Sequence, residues 1–573
     1  MASADRLSAL ADDLLQRILS FAPAKEAAAS AALSRRWRPL WRRTGALNLD
    51  SRPYSRQHSG FYHGDRFDDF FRHGKAALAI RLGTALKRLT LYLLEDAYLV
   101  GDKWHYRRND DVVPEYDARV AGLLTDPAAA ALEELRIAGE CAFVCMYVPP
   151  LASLPCAATN LRVLELHKCS LEPPSSPAPP VEPSASLAFP HLTDLTVRDC
   201  TYLEWYLQAV VDAMPALTRL ALVDVTNKPL TPPPVSAEDS FMPTSKSFNL
   251  PLRLASPTVT TLVLEINMCL NELDDSRNIG IQLDMPSLRS FRYKGFPFKL
   301  SLTSPAPGLA LVHLDTNRRE SDVYKCEPTA RLLASFCTTR SLKLRLSAIE
   351  DIVSDDCYLY LYGDQTFTGD QKPGEEVILP TFLNLKLLEI DASFNYRDSN
   401  TASALATLLR ACPAMSELHL RLNMNGDYHY DRETKEKVGG PFAQSMERFY
   451  RLGSMCAKHR DDVELGGVSE LPAAFANSCT FGCLRTSLRK VTMQFKSNEH
   501  NCFQVQLARF LVENAMVLEE MHIDDGNQFW PDHLLGKLTR WRADAFRLRN
   551  LPDTAGFRVF QLANPIVDPE VNY

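Results

Sequence analysis

The chain has 573 residues, more than one ordinary domain of about 150 residues accommodates. Its composition, 46% hydrophobic, 23% charged and 9% aromatic, is that of a folded chain and excludes wholesale disorder. Its 63 basic and 70 acidic residues leave a net charge of −7, against a dominant nucleic-acid footprint, and 24 Gly beside 37 Pro disfavours nucleotide folds built on glycine turns.

Residues 5–43 read as a helical module. Leu7, Leu10, Leu14, Ile18 and Leu19 to Phe21 make an apolar helical face. Asp12 and Asp13 stand near its start, where the helix dipole favours carboxylates, and Pro23 ends it. Ala27 to Leu33 is helix-forming, and Ser34 to Trp41 closes the segment with two tryptophans. About forty residues carrying this much apolar surface would struggle to be stable alone, so the module needs a partner or caps the rest of the chain. Asp5, Asp12 and Asp13 sit where a signal peptide would carry basic charge, so none is expected. There is no N-x-[ST] acceptor and no uncharged apolar run of about 18 residues. A reducing cytoplasmic or nuclear setting is expected, with no membrane partner.

Next come His58, His63 and His73 with Arg56, Arg66 and Arg72. They read as a solvated polar connection more readily than as a phosphate or metal site. Lys103, Arg107 and Arg108 beside Trp104, His105 and Tyr106 have the ingredients of a nucleic-acid stacking platform, but Asp110 and Asp111 weaken that reading. No nucleic-acid partner is expected.

From there a pattern of apolar-x-x-apolar-x-apolar organises the chain. It runs through Leu86-Leu89-Leu91, Leu132-Leu135-Ile137, Leu161-Leu164-Leu166, Leu192-Leu195-Val197, Leu217-Leu220-Leu222 and Val259-Leu262-Leu264. It continues as Leu288-Phe291-Tyr293, Leu309-Val312-Leu314, Leu385-Leu388-Ile390, Met415-Leu418-Leu420, Leu488-Val491-Met493 and Leu518-Met521-Ile523. Thr44-Leu47-Leu49 and Thr339-Leu342-Leu344 are copies with Thr in first place. The last two apolar positions have period two, so they share one face of a short strand. Cys169, Cys200, Asn267 and Asn423 come three residues behind such strands, where a side chain can satisfy backbone groups in a turn; the cysteines are therefore read as structural. The C-x3-C pairs Cys141/Cys145 and Cys479/Cys483 have no second pair to close a zinc site. Helical spacing at Leu203 to Met214, Leu405 to Cys412 and Phe503 to Leu511 completes units of helix, turn and strand, which bury their faces by stacking.

The units are interrupted. Pro-rich Glu172 to Pro190 and Asn227 to Pro257, the aromatic and charged Gly101 to Asp117, and the long Asn425 to Leu484, with a helix expected over Met446 to Lys458, read as surface insertions. Such loops also serve to hold partners.

Two stretches carry a family resemblance. Leu10-Ala11-Asp12-Asp13-Leu14-Leu15, Ile18 to Phe21, and Ala32 to Arg38 with Leu40-Trp41 resemble an F-box, in particular that of plant F-box proteins with leucine-rich repeats. Cys483-Leu484 through Leu488 to Thr492, Phe510-Leu511 and Leu518 to Ile523 resemble their C-terminal FBD-like region. Those F-boxes usually carry Leu-Pro-Asp where this chain has Leu10-Ala11-Asp12.

The resemblance implies an α/β fold: a small all-α F-box over 5–43, then an irregular leucine-rich-repeat solenoid, a curved parallel sheet with helices on its convex side. A connector with the first irregular repeats spans 44–130, the solenoid 131–475, and the FBD-like repeats and tail 476–573. It implies a substrate-recognition subunit of a cullin-RING ubiquitin ligase that docks on a Skp-type adaptor and presents an unidentified protein substrate. Carried over, the adaptor contact involves Leu10, Leu14, Leu15, Ile18, Leu33 and Trp37, with Arg35 and Arg36 at its rim. The alternatives are a stand-alone interaction scaffold whose first module merely caps the repeats, and a small-molecule receptor. There is no G-x-G-x-x-G, P-loop, H-E-x-x-H or G-x-S-x-G. No catalytic role, cofactor or metal is expected.

Overall fold

The structure is a computed structural model that describes residues 7, 9–54, 64–81, 85–95, 98–100, 103–105, 113–141, 160–172, 188–227, 252–266, 280–295, 299–316, 329–352, 379–395, 400–425, 475, 481–495, 502–524, 531–551 and 556–562. His58, His63, Cys145, Asn267, Cys479 and the helix expected over 446–458 lie outside these residues, as does most of the Pro-rich and charged insertions. The chain divides into two compact units, residues 1–288 with 302–306, and residues 289–301 with 307–573.

The first unit opens with helices α1 (Asp12–Leu19), α2 (Ala24–Ala29) and α3 (Trp37–Leu40). Its parallel sheet runs in chain order: β1 (Ala46–Asp50), β2 (Arg88–Glu95), β3 (Glu134–Cys141), β4 (Val163–His167), β5 (Asp194–Arg198), β6 (Arg219–Val223) and β7 (Thr261–Ile266). Helices α4 (Gly64–Ala79), α5 (Val113–Leu124) and α6 (Glu204–Asp212) connect them. The 101–117 stretch, expected as an insertion, contributes the strand Lys103–His105, which pairs with Tyr98–Val100, and the start of α5.

The second unit repeats the scheme with β8 (Ser290–Gly295), β9 (Leu311–Thr316), β10 (Ser341–Leu346), β11 (Leu387–Asn395), β12 (Glu417–Asn425), β13 (Lys490–Phe495), β14 (Glu520–Asp524) and β15 (Arg558–Gln561), each parallel to the next. Its helices include α7 (Thr329–Ala334), α8 (Asn400–Ala411), α9 (Gly482–Thr486), α10 (Cys502–Asn514) and α11 (Pro531–Leu548).

Each of the twelve apolar triplets marks a strand that begins two residues after its first member. All three members of every triplet are buried. The first turns the chain inward and the other two point into the same core, as period two requires. Thr44 and Thr339 take the first place equally well because each hydroxyl finds carbonyls. Thr44 Oγ1 donates to Trp41 and Ala46, both at 2.9 Å, and Thr339 Oγ1 donates to Ala310 at 3.1 Å and Ser341 at 3.2 Å. A buried hydroxyl is tolerated on that condition.

The turns after β4, β5 and β6 explain how so few glycines suffice. Lys168, Asp199 and Asp224 take φ of 52°, 51° and 52°, and each N–H donates forward to the carbonyl of Arg198, Val223 or Glu265 in the next strand. Beside them Cys169 and Cys200 are fully buried free thiols, as expected of structural residues. The Cys200 thiol donates to the Arg198 carbonyl at 3.1 Å while its sulfur accepts from the Cys169 N–H at 3.3 Å. The side-chain hydrogen bond with Cys200, with burial beside it, pushes the Cys169 thiol well above the ordinary range, so it stays protonated and inert.

Candidate functional site

The N-terminal module has its own core: Leu15, Leu19, Ala27, Trp37, Leu40 and Trp41, with Leu10, Ala22, Ala28 and Ala31 packed against it. Helix α1 thus presents two adjacent apolar faces. Leu15 and Leu19 point inward; Leu14 and Ile18, one turn apart, stand 45% and 46% exposed. Leu33 is 69% exposed, and Leu7 and Phe21 are also exposed. Of the residues carried over for adaptor contact, Leu14, Ile18, Leu33 and Arg35 are on the surface, Leu10 is half-buried, and Leu15 and Trp37 fill the module's interior. Arg36 is exposed but engaged within the module: its Nε reaches Asp12 Oδ1 at 2.7 Å, and its guanidinium also donates to the Leu10 carbonyl. That pair closes the entrance of α1 against the turn before α3.

The module is fastened to the first strands. Asn48 on β1 donates its amide to the carbonyls of Ser20 at 2.9 Å and Ala22 at 3.0 Å, the end of α1. Arg88 on β2 donates to the Ser20 carbonyl at 3.1 Å and lies over the Phe21 ring at 5.2 Å. Arg81, buried after α4, donates to the carbonyls of Trp41 and Thr44, and burial lowers its guanidinium to about 10. No sequence motif marked Asn48, Arg81 or Arg88. A lone arginine in an apolar surround is the sole signal, and it does not say which carbonyls it serves.

In the second unit, the side chains alternating with the buried triplets line the opposite face of the sheet, where His313, Asp315, Thr492 and Gln494 are buried. The residue after each triplet forms one row: Lys294, Asp315, Arg345, Asp391, Arg421, Gln494 and Asp524. Aligning the repeats would have found it, because each stands one residue behind the third apolar position. Arg345 faces Asp315 at 3.8 Å and Asp391 at 3.9 Å; Arg421 faces Asp391 at 3.1 Å and Gln494 at 3.0 Å, and Gln494 donates to Asp524 at 3.2 Å. The neighbouring row is Arg292, His313, Lys343, Glu389, His419, Thr492, His522 and Phe560. His419 Nδ1 lies 3.5 Å from Glu389, and its hydrogen bond holds that carboxyl below the usual range, with Lys343 and His313 adding to the effect. Burial raises the Asp315 carboxyl although Arg345, Lys294 and Arg292 oppose it.

No cluster of three metal-ligating side chains occurs among the described residues, and no described helix is long and apolar enough to cross a membrane.

Comparison with known proteins places this architecture. Residues 120–275 match the family model for the LRR repeats of FBD-associated F-box protein At5g56370. F-box/FBD/LRR-repeat protein At4g26340 of Arabidopsis thaliana is 29% identical over 231 residues, covering 38% of this chain and 49% of that protein. F-box/FBD/LRR-repeat protein At1g80470 of the same organism is 44% identical over 71 residues, 12% of this chain and 14% of that protein. Putative FBD-associated F-box protein At3g12840 is 54% identical over 48 residues, 8% of this chain and 26% of that protein. The matches therefore span about half or less of these relatives' lengths. They bear out the resemblance to plant F-box proteins with leucine-rich repeats and an FBD region, and the α/β parallel-sheet architecture and N-terminal helices fit it.

Proposed function

We propose that the chain is the substrate-recognition subunit of a cullin-RING ubiquitin ligase, docking through its N-terminal module on a Skp-type adaptor and holding a protein target on its repeats. The observation that carries this is the second apolar face of α1. A module with a filled core of its own has no internal use for Leu14 and Ile18 on the surface, nor for Leu33 beyond them. Exposed aliphatic anchors of this kind are what an interface buries. Leu14, Ile18 and Leu33 therefore make the contact, Leu10 and Arg35 border it, and Leu15, Trp37 and Arg36 hold its shape. The mechanism is positional: the receptor raises the effective concentration of a target lysine near a charged ubiquitin carrier and supplies no catalytic group.

The bonds from Asn48, Arg88 and Arg81 favour a second reading, in which the module only caps the repeats. Adaptor capture separates the two. A Leu14→Arg, Ile18→Arg chain keeps the core and is expected to lose the adaptor while unfolding at the wild-type temperature. Trp37→Ala is expected to lose both, because it empties the core. Undiminished capture by the double variant removes the ligase assignment.

A further inference from the structure

Helix α1 carries the exposed anchors Leu14 and Ile18, yet two local devices that fix a helix start are missing. Ala11, the residue before it, has no side chain to accept from the first N–H groups, and no side-chain cap bond is made there. Nor does a proline preset the backbone at this position, although Ala11 already has the shape a proline ring imposes. Eight residues are too few for a helix to hold by propensity alone. The fastening comes from 24 residues further along the chain. Arg36 Nε donates to Asp12 Oδ1 at 2.7 Å, and the same guanidinium donates to the Leu10 carbonyl. One planar group thus holds the residues on both sides of Ala11. Its base is firm, because the next residue, Trp37, is packed in the module's core with Leu15 and Leu19. An exposed ion pair alone contributes little, but a fork that serves a carboxylate and a main-chain carbonyl together also fixes geometry. Leu14 lies within the first turn of α1, so fraying there displaces an anchor directly.

We infer that Arg36 is a positioning residue for adaptor docking: by tying Leu10 to Asp12 across Ala11 it takes the place of the missing proline and keeps Leu14 where the adaptor meets it. The docking half of this rests on the receptor reading; the coupling between Arg36 and Ala11 does not. Clamp and proline are alternative ways of restricting the same backbone, one from outside and one from within. Their effects are therefore not additive, and a proline at position 11 makes the clamp dispensable.

The test uses the full chain in four forms: wild type, Arg36→Gln, Ala11→Pro, and both changes together. Hydrogen exchange over residues 12–16, where the Leu15 N–H bonds back to the Ala11 carbonyl, reads the helix start. Titration with a purified Skp-type adaptor reads docking. Arg36→Gln is expected to speed exchange over these residues about tenfold and to weaken the adaptor about three- to tenfold. Ala11→Pro alone is expected to keep both at the wild-type level or better. The double form is expected to return both to within about twofold of Ala11→Pro, a rescue that loss of a direct contact between Arg36 and the adaptor does not allow. Unchanged exchange in Arg36→Gln, or equal losses with and without the proline, overturns the inference. Exchange that is rescued while adaptor affinity is not also overturns it, because Arg36 then acts by touching the adaptor. A wild-type chain that shows the exchange rescue but never binds the adaptor upholds the clamp and counts against the ligase reading alone.

Discussion

Arg81 donates from its buried guanidinium to the carbonyl of Trp41 at 3.2 Å, joining the segment after α4 to the closing turn of the N-terminal module. The same guanidinium takes up Thr44, whose hydroxyl in turn holds Trp41 and Ala46. Replacing Arg81 with Met keeps the bulk and strands these acceptors, which costs about 1–3 kcal/mol. Hydrogen exchange should show lost protection over residues 37–46 first; unchanged protection there would mean that the packing of Trp41 alone holds the module.

Ala11 precedes α1 with φ −68° and ψ 154°, inside the range a proline ring imposes. The helix start is therefore already shaped for the proline usual in the resembling family. Ala11→Pro is expected to stabilise the chain by about 0.4–1 kcal/mol by restricting the unfolded state. Urea unfolding followed at the module's tryptophans measures it, and destabilisation would show that Leu10 cannot accept the constraint.

Arg542 on α11 is a second buried arginine. It donates to the carbonyls of Val512, Ala515, Met516 and Leu518, and lies over the rings of Phe546 and Phe557 at 4.4 and 4.6 Å. Burial lowers its guanidinium to about 10. A lysine offers one point charge instead of a planar fork, so Arg542→Lys fails to serve four carbonyls and is expected to lose about 2 kcal/mol or more. Limited proteolysis of the C-terminal repeats gives the readout, and wild-type resistance would contradict it.

Glu389 supplies a pH test. Its carboxyl is held below the usual range by the His419 hydrogen bond, so the stability it contributes is present above the ordinary carboxylate value of about 4.3 and is lost as pH falls through the lower folded value. Glu389→Gln should therefore cost up to about 1 kcal/mol at neutral pH, with the deficit closing below about pH 4. A deficit independent of pH between 7 and 3.5 would place the cost in packing rather than charge.

The repeats were legible because each triplet encodes its own strand; even Thr44 and Thr339 obeyed the rule. The site was half legible. Helical spacing put Leu14 and Ile18 on one face, which the structure leaves exposed, but α1 is apolar on two neighbouring faces, and no period distinguishes Leu15, which fills the core, from Leu14, which does not. Strand β15 bears no such mark because Arg558 to Gln561 lacks the triplet. The partners of Arg81 and Arg542 are backbone carbonyls that only folding brings within reach, so side-chain identity could not announce them.

The forward bonds from Lys168, Asp199 and Asp224 bear on how such a chain can change length. Each turn passes its N–H to the next unit, so donor and acceptor recur with the same phase. Duplicating or excising one whole unit leaves every junction with a donor before it and an acceptor after it. A break inside a unit leaves one of each unmatched. The grammar of these turns thus permits growth and loss by whole units, and makes partial ones costly.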